Sequence, residues 1–176
     1  VLILSKADLS TEEEIASIKN LYLSLGYNIL VTSVPESRGM DSLRELLHHH
    51  TSVLCGHSGV GKSSLIKALY PHWKIHIGDV SSKSGKGRHI TRMAEMYRLP
   101  SGGFIVDTPG IREFQPTVAP DELDTHFVEF VPYLGKCRFK GCTHRHEPQC
   151  AIKEAYASEK ITEKRYKSYL SIYESL

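Results

Sequence analysis

No apolar run in this sequence approaches the roughly 18 residues that a membrane-crossing helix needs. "NILVTSV" and "VLCG" are typical of the longest stretches. No basic-then-apolar leader opens the chain either, so the expected class is a soluble, cytoplasmic protein with no membrane partner. Charge of one sign is also lacking. The formal net charge is only +2, too little for composition to announce a nucleic-acid binder, and such a reading must rest on local clusters. Cysteine is scarce: there are four, of which Cys137, Cys142 and Cys150 crowd into fourteen residues while Cys55 stands alone. Three thiols in a cluster cannot pair off. Metal ligation in a reducing compartment fits them better than a disulfide framework. No internal repeat is visible, and the chain begins without methionine in the strand-like "VLIL", which reads as a missing N-terminal portion.

With 176 residues and 40% hydrophobic side chains, the chain can bury a core and carry one domain plus an appendage. Val1 to Leu4 reads as a strand, and Ser10 with Glu13 as the capping box of a helix that Gly26 closes. Its apolar positions are Ile15, Ile18, Tyr22 and Leu25. "YNILVTSV" is a second strand, "DSLRELLHHH" a short helix with histidines in its last turn, and "TSVLCG" a third strand before a helix from Ser63 to Tyr70. Adjacent histidines point in different directions on a helix, so that run is not read as a metal site. Pro71 to Arg92 is a long polar loop, and "MAEMYRLPSGGFIVDTPG" reads as two strands joined at Pro100 to Gly103. Strands alternating with helices predict a doubly wound α/β sheet. After about Pro116 the composition turns helical and metal-ligand-like, which places domains at 1–116 and 117–176.

Gly56-x-x-x-x-Gly61-Lys62-Ser63 fits the phosphate-loop pattern, with a strand before it and a helix after it. Such a loop turns backbone N–H groups toward phosphates at a helix N-terminus. The phosphate-binding set is Gly56, His57, Ser58, Gly59, Val60, Gly61, Lys62, Ser63 and Ser64, with Gly110 of "DTPG" as γ-phosphate sensor. Ser63, Asp107 and Thr91 are the expected magnesium residues, Thr91 lying in the polar loop between the two motifs. Where Ras-like enzymes place a water-orienting glutamine after Gly110, this chain has Ile111, which cannot hydrogen-bond water. His89 is the candidate catalytic group in its stead, and unassisted hydrolysis should be slow.

"SKAD", Ser5 to Asp8, lies before the phosphate loop rather than after it. Asp8 offers one carboxylate to both the ring N–H and the exocyclic amino group of guanine, and Lys6 a stem to lie along the base plane. Adenine offers neither donor there, which speaks against an ATPase reading. Ser33 and Val34 at the end of the second strand form the second base loop. Base reader, base loop, phosphate loop, switch threonine and "DTPG" then make one domain read from a shifted start, a circular permutation, which nearby surface termini permit.

Downstream, Cys137-x4-Cys142-x-His144-x5-Cys150 offers three thiolates and an imidazole, a set suited to closed structural zinc, with His146 an alternative fourth ligand. Lys136, Arg138, Lys140 and Arg145 surround it, and Lys83, Lys86, Arg88 and Arg92 form a second basic group. Tyr166, Tyr169, Leu170 and Tyr173 recur at helical spacing, a packing stripe for the metal module or for the first domain.

"GHSGVGKSSL", "GRHIT", "DTPGIREF" and "CRFKGCTHRHEPQC" together resemble the ribosome small-subunit-dependent GTPase A family, whose members are circularly permuted P-loop GTPases with a small C-terminal zinc-binding helical domain. The resemblance covers nearly the whole chain. It implies GTP/GDP, Mg2+ and Zn2+ as cofactors and the small ribosomal subunit with its rRNA as partner. It favours His144 as the fourth zinc ligand, supports His89 as catalytic, and implies an N-terminal oligonucleotide-binding barrel beyond this sequence. A monomer is expected. Ser5 stands where the family usually has asparagine, so the bond between base loop and phosphate loop is expected to be weaker; Ile90 and Arg92 replace threonines common beside Thr91. Two rival readings are an RNA-binding module in which nucleotide only sets conformation, and an ATPase with a metal-binding appendage.

Overall fold

The computed structural model describes residues 1–57, 59–73, 95–107 and 118–176, with backbone alone for Glu95 and Asp107. Strand β1 (Leu2–Leu4) pairs parallel with β2 (Ile29–Val31), Ile3 facing Leu30, and helix α1 (Glu12–Ser24) makes the crossover. The capping box is one residue later than the sequence pattern suggested. Thr11 accepts from the Glu14 N–H at 3.3 Å and the Glu14 carboxylate accepts from the Thr11 N–H at 3.0 Å. Ser10 is spent on the preceding 3-10 turn, its N–H donating to Ala7. Along α1 only Ile15 is fully buried, and Ile18, Tyr22 and Leu25 are half-buried. Gly26, at φ +83°, donates back to Leu23 beyond the helix end.

Helix α2 (Met40–Leu47) buries Met40, Leu43 and Leu47 at helical spacing. It stops there, so the three histidines lie outside its last turn. His48 is extended, His49 is left-handed at φ 56°, and the His50 carbonyl accepts from Phe104 N–H at 2.9 Å. That pairing pulls the chain out of the helix and into β3 (Thr51–Val53). Next come α3 (Lys62–Leu69), β4 (Glu95–Arg98) and β5 (Phe104–Asp107), in the sheet order β3-β5-β4. β3 and β5 are parallel, whereas β4 and β5 form the antiparallel hairpin expected from the sequence. Gly103 turns that hairpin at φ +88°, and a Cβ there would strike the His50 backbone, so glycine is required on two counts.

Among the described residues the five strands divide between two ladders, yet they share one core. Leu43, Leu47, Leu65, Ile66, Leu69, Leu99 and Ile105 are buried together, with Ile3 and Leu30 of the β1-β2 pair packed against them. Each buried aliphatic of this size contributes about 1.5–3 kcal/mol. That packing sets the β1 and β3 ends, and hence both candidate nucleotide motifs, on one body.

The chain divides into two compact units, Val1–Gln115 and Pro116–Leu176. The second holds short 3-10 turns at Leu123–His126 and Val131–Tyr133, then α4 (Ala151–Ala157) and α5 (Glu163–Ser175). Its core gathers Leu123, Phe127, Phe130, Ile152, Ile161, Tyr166 and Tyr169, with Leu170 and Tyr173 packed against it. The tyrosine stripe therefore docks α5 within this unit. Arg165 of α5 forms an ion pair with Glu129 at 2.5 Å while its guanidinium lies 4.6 Å from the Phe127 ring centre. Among the described residues no helix is long and apolar enough to cross a membrane.

Candidate functional site

In the first unit, two sequence motifs more than fifty residues apart meet. The Ser5 hydroxyl donates to the Val60 carbonyl at 2.6 Å, across a separation of 55 residues. The serine thus makes a bond from the "SKAD" loop to the glycine-rich loop, where the sequence led us to expect a weaker tie than asparagine's. Lys6 is left-handed at φ 57°, and its Cε lies 3.9 Å from where a Cβ on Gly61 would sit. Ala7 N–H donates to the Thr32 carbonyl at 3.0 Å, which brings Ser33 and Val34, the expected second base loop, alongside. Buried Ser33 donates its hydroxyl to Asp8 Oδ1 at 2.6 Å and accepts from the Glu36 N–H, so one carboxylate oxygen is fixed and the exposed Asp8 side chain is aimed. Val34 is half-buried beside it.

Gly59 and Gly61 take φ of 82° and 98°, and Gly61 is the N-cap from which α3 springs. The Lys62 ammonium donates to the carbonyls of Gly56 and His57, the latter at 2.9 Å. Ser63 is half-buried in the first turn of α3, while Ser64 and His57 are exposed. Asp107 ends β5, where the sequence expected a magnesium residue, with its side chain outside the described set. Ser58, the segment with His89 and Thr91, and Gly110 also lie outside the described residues. Replacing Ser5 with alanine leaves a part-buried carbonyl without its donor. It should lower the stability of the first unit by about 0.5–1.5 kcal/mol in a denaturant melt of the intact chain, with asparagine at that position restoring it.

In the second unit, the ligand atoms of Cys137, Cys142, His144 and Cys150 all lie within 4.8 Å of one another. Zn–S and Zn–N bonds of about 2.3 and 2.05 Å in a tetrahedron imply S···S edges of about 3.8 Å and S···N edges of about 3.6 Å. Here Cys137 and Cys150 sulfurs are 3.8 Å apart, and His144 Nδ1 is 3.6 Å from Cys137 and 3.3 Å from Cys150. The four could hold one metal ion; His146 is exposed. Burial pushes the Cys142 thiol up to about 12, opposed by the His144 backbone and reinforced by the Cys150 and Cys137 sulfurs. Thiols so crowded suit a cation that binds them as thiolates.

The loop is stiffened by groups with no sequence signal of their own. Glu147 accepts from the N–H groups of Thr143, Arg145 and His146 and from the Thr143 hydroxyl. Burial alone would raise this carboxyl, but those donors outweigh it and hold it at about 2. Its stabilisation is thus fully present above about pH 4.5 and disappears only as pH falls through about 2. Tyr166 donates to the His144 carbonyl at 2.6 Å and Tyr169 to that of Thr143 at 2.9 Å. Cys150 is also the N-cap of α4, its sulfur accepting from Lys153 N–H at 3.5 Å. His144 Nε2 is 3.1 Å from Asp124 Oδ2, a partner twenty residues upstream that no spacing rule links to the cysteines.

A family model described as RsgA GTPase matches residues 1–117. Curated relatives named small ribosomal subunit biogenesis GTPase RsgA include one from Moorella thermoacetica, 43% identical over 97% of this chain and 59% of its own length. Another, from Hahella chejuensis, is 43% identical over 100% of this chain and 52% of its own. The chain therefore spans little more than half the length of the curated relatives it matches. Among solved structures, YjeQ from Thermotoga maritima superposes with a TM-score of 0.74 at 34% identity, covering 99% of this chain and 58% of that one. YloQ, described as a circularly permuted GTPase, gives 0.69 at 30% identity over 99% of this chain and 56% of its own.

Proposed function

Because the chain belongs to the RsgA GTPase family and shares the fold of circularly permuted GTPases, we propose that it hydrolyses GTP in late maturation of the small ribosomal subunit and couples hydrolysis to its own release. The observation that supports this reading is the Ser5 to Val60 hydrogen bond, which joins the "SKAD" loop to the "GHSGVGKS" loop. In this reading residues 1–116 are the GTPase domain and 117–176 the zinc-binding helical domain. Ser5, Lys6, Asp8, Ser33 and Val34 take the base; the loop from Gly56 to Ser64, with Gly110, takes the phosphates.

On the residues' own chemistry, Lys62 exchanges its two loop carbonyls for phosphate oxygens, a stronger charge-assisted partner. N–H groups around Gly61 complete the cradle at the start of α3. Ser63, Thr91 and Asp107 would hold magnesium, which when bound neutralises the charge developing between β- and γ-phosphates. His89 orients the attacking water once rRNA is bound. The zinc-binding domain faces rRNA with Lys136, Arg138, Lys140 and Arg145, and the protein acts as a cytoplasmic monomer.

Multiple-turnover hydrolysis with and without small subunits tests this. Subunits should raise turnover well above an unassisted rate on the order of 10⁻⁴ s⁻¹, and His89→Ala should abolish the stimulation while leaving GTP affinity nearly unchanged. Binding without stimulated turnover in the parent would instead mark a nucleotide-switched RNA-binding module. Full stimulation in the variant would remove His89 from the mechanism.

A further inference from the structure

We propose that Asp124 is the positioning residue of the metal centre, fixing the tautomer and the aim of His144. The inference rests on the reading of Cys137, Cys142, His144 and Cys150 as a metal site, and it begins with which ring nitrogen faces which neighbour. Nδ1 is turned toward the cysteine sulfurs at 3.3 and 3.6 Å, and Nε2 toward Asp124 Oδ2 at 3.1 Å. A carboxylate only accepts, so the shared proton sits on Nε2 and leaves the Nδ1 lone pair directed at the sulfurs. A tautomer with the proton on Nδ1 would occupy the lone pair that a metal ion needs and would set two acceptors against each other across the Asp124 contact.

The surroundings make Asp124 an anchor rather than a passing contact. It sits in the 3-10 turn Leu123–His126, with Leu123 and Phe127 on either side buried in the core of the unit. Its side chain is 21% exposed and that of His144 only 4%, so water competes weakly for the bond. The backbone of His144 is pinned separately, at φ 58°, by the Tyr166 hydroxyl on its carbonyl. Backbone and ring are thus held by different elements, and removing Asp124 frees the ring without releasing the loop. Such outer carboxylates orient a ligating imidazole and raise its basicity, and their loss typically lowers metal affinity roughly 10- to 100-fold.

The test uses the full chain and three measurements. Metal analysis of the parent comes first: a parent that binds no zinc removes the metal-site reading itself. Long-range proton–nitrogen correlation on the zinc-loaded parent should show His144 metallated at Nδ1 and protonated at Nε2; metallation at Nε2 overturns the role of Asp124. Chelator competition should then show Asp124→Leu, close in shape but unable to accept, losing roughly 10- to 100-fold in zinc affinity. Asp124→Asn, whose amide oxygen still accepts, should recover most of that loss. The cobalt-substituted leucine variant should also show altered ligand-field bands, which a purely structural defect in the 3-10 turn would not produce. Unchanged affinity and an unchanged cobalt spectrum in Asp124→Leu would overturn the proposal. Should that variant fail to fold, the parent correlation spectrum and the asparagine variant decide.

Discussion

Asp8→Asn should move nucleotide preference from guanine toward xanthine. The reason lies in the way Ser33 holds the side chain. Its hydroxyl donates to Asp8 Oδ1 at 2.6 Å, and a donor at that position selects the carbonyl oxygen of an asparagine just as it selects one carboxylate oxygen. The amide nitrogen then replaces the oxygen left for the base. It opposes the donors of guanine and complements the oxygen that xanthine carries where guanine has its amino group. Hydrogen bonds to a charged group contribute about 1.5–3 kcal/mol, so GTP affinity should fall roughly ten- to hundredfold while XTP affinity rises. Competition of a labelled guanine nucleotide by GTP, XTP and ATP gives the ratios directly. Unchanged selectivity for GTP would show that the base is read elsewhere.

The second large effect concerns the metal. Metal analysis of the parent should give one zinc per chain, and Cys142→Ala should lose it. Binding of structural zinc to small domains contributes on the order of 10 kcal/mol or more at neutral pH. The second unit has a core of its own around Phe130, Ile152 and Tyr169, so it should keep some helical signal after the substitution but lose its cooperative transition. The loop from Cys137 to Cys150 would then lack the bond that closes it. Nucleotide binding by the first unit should survive within a few-fold. A metal-free variant as stable as the parent, judged by calorimetry and metal content together, would sink the zinc reading.

Much of this was legible in the sequence because it is local. The phosphate loop, the hairpin around Gly103 and the Cys-His cluster each announce themselves within about a dozen residues. Sequence pattern and structure part where two local patterns compete. Ser10 with Glu13 and Thr11 with Glu14 both satisfy the capping-box rule, and the choice is made by the preceding turn, which takes the Ser10 N–H. The histidine run looked like helix because nothing in "LLHHH" stops one; what stops it is His50 pairing with Phe104, more than fifty residues away. Asp124, Glu147 and the two tyrosine hydroxyls had no motif to betray them, since their roles exist only once the loop they hold has formed.

The Ser5 to Val60 bond also bears on the order in which the protein can acquire its shape. In the β1-α1-β2 segment every pairing closes over fewer than thirty residues, so it can form early as the chain is synthesised. The β1-β2 pairing around Ser5 and Asp8 is thus expected to form before Val60 and Lys62 have emerged, although its packing by Ile3 and Leu30 waits for the later core. Only when Val60 arrives does a long loop close, and that step carries the entropic cost of distant contact. The joining of these two loops is therefore expected to be a late event of folding, completed by the Ser5 hydroxyl.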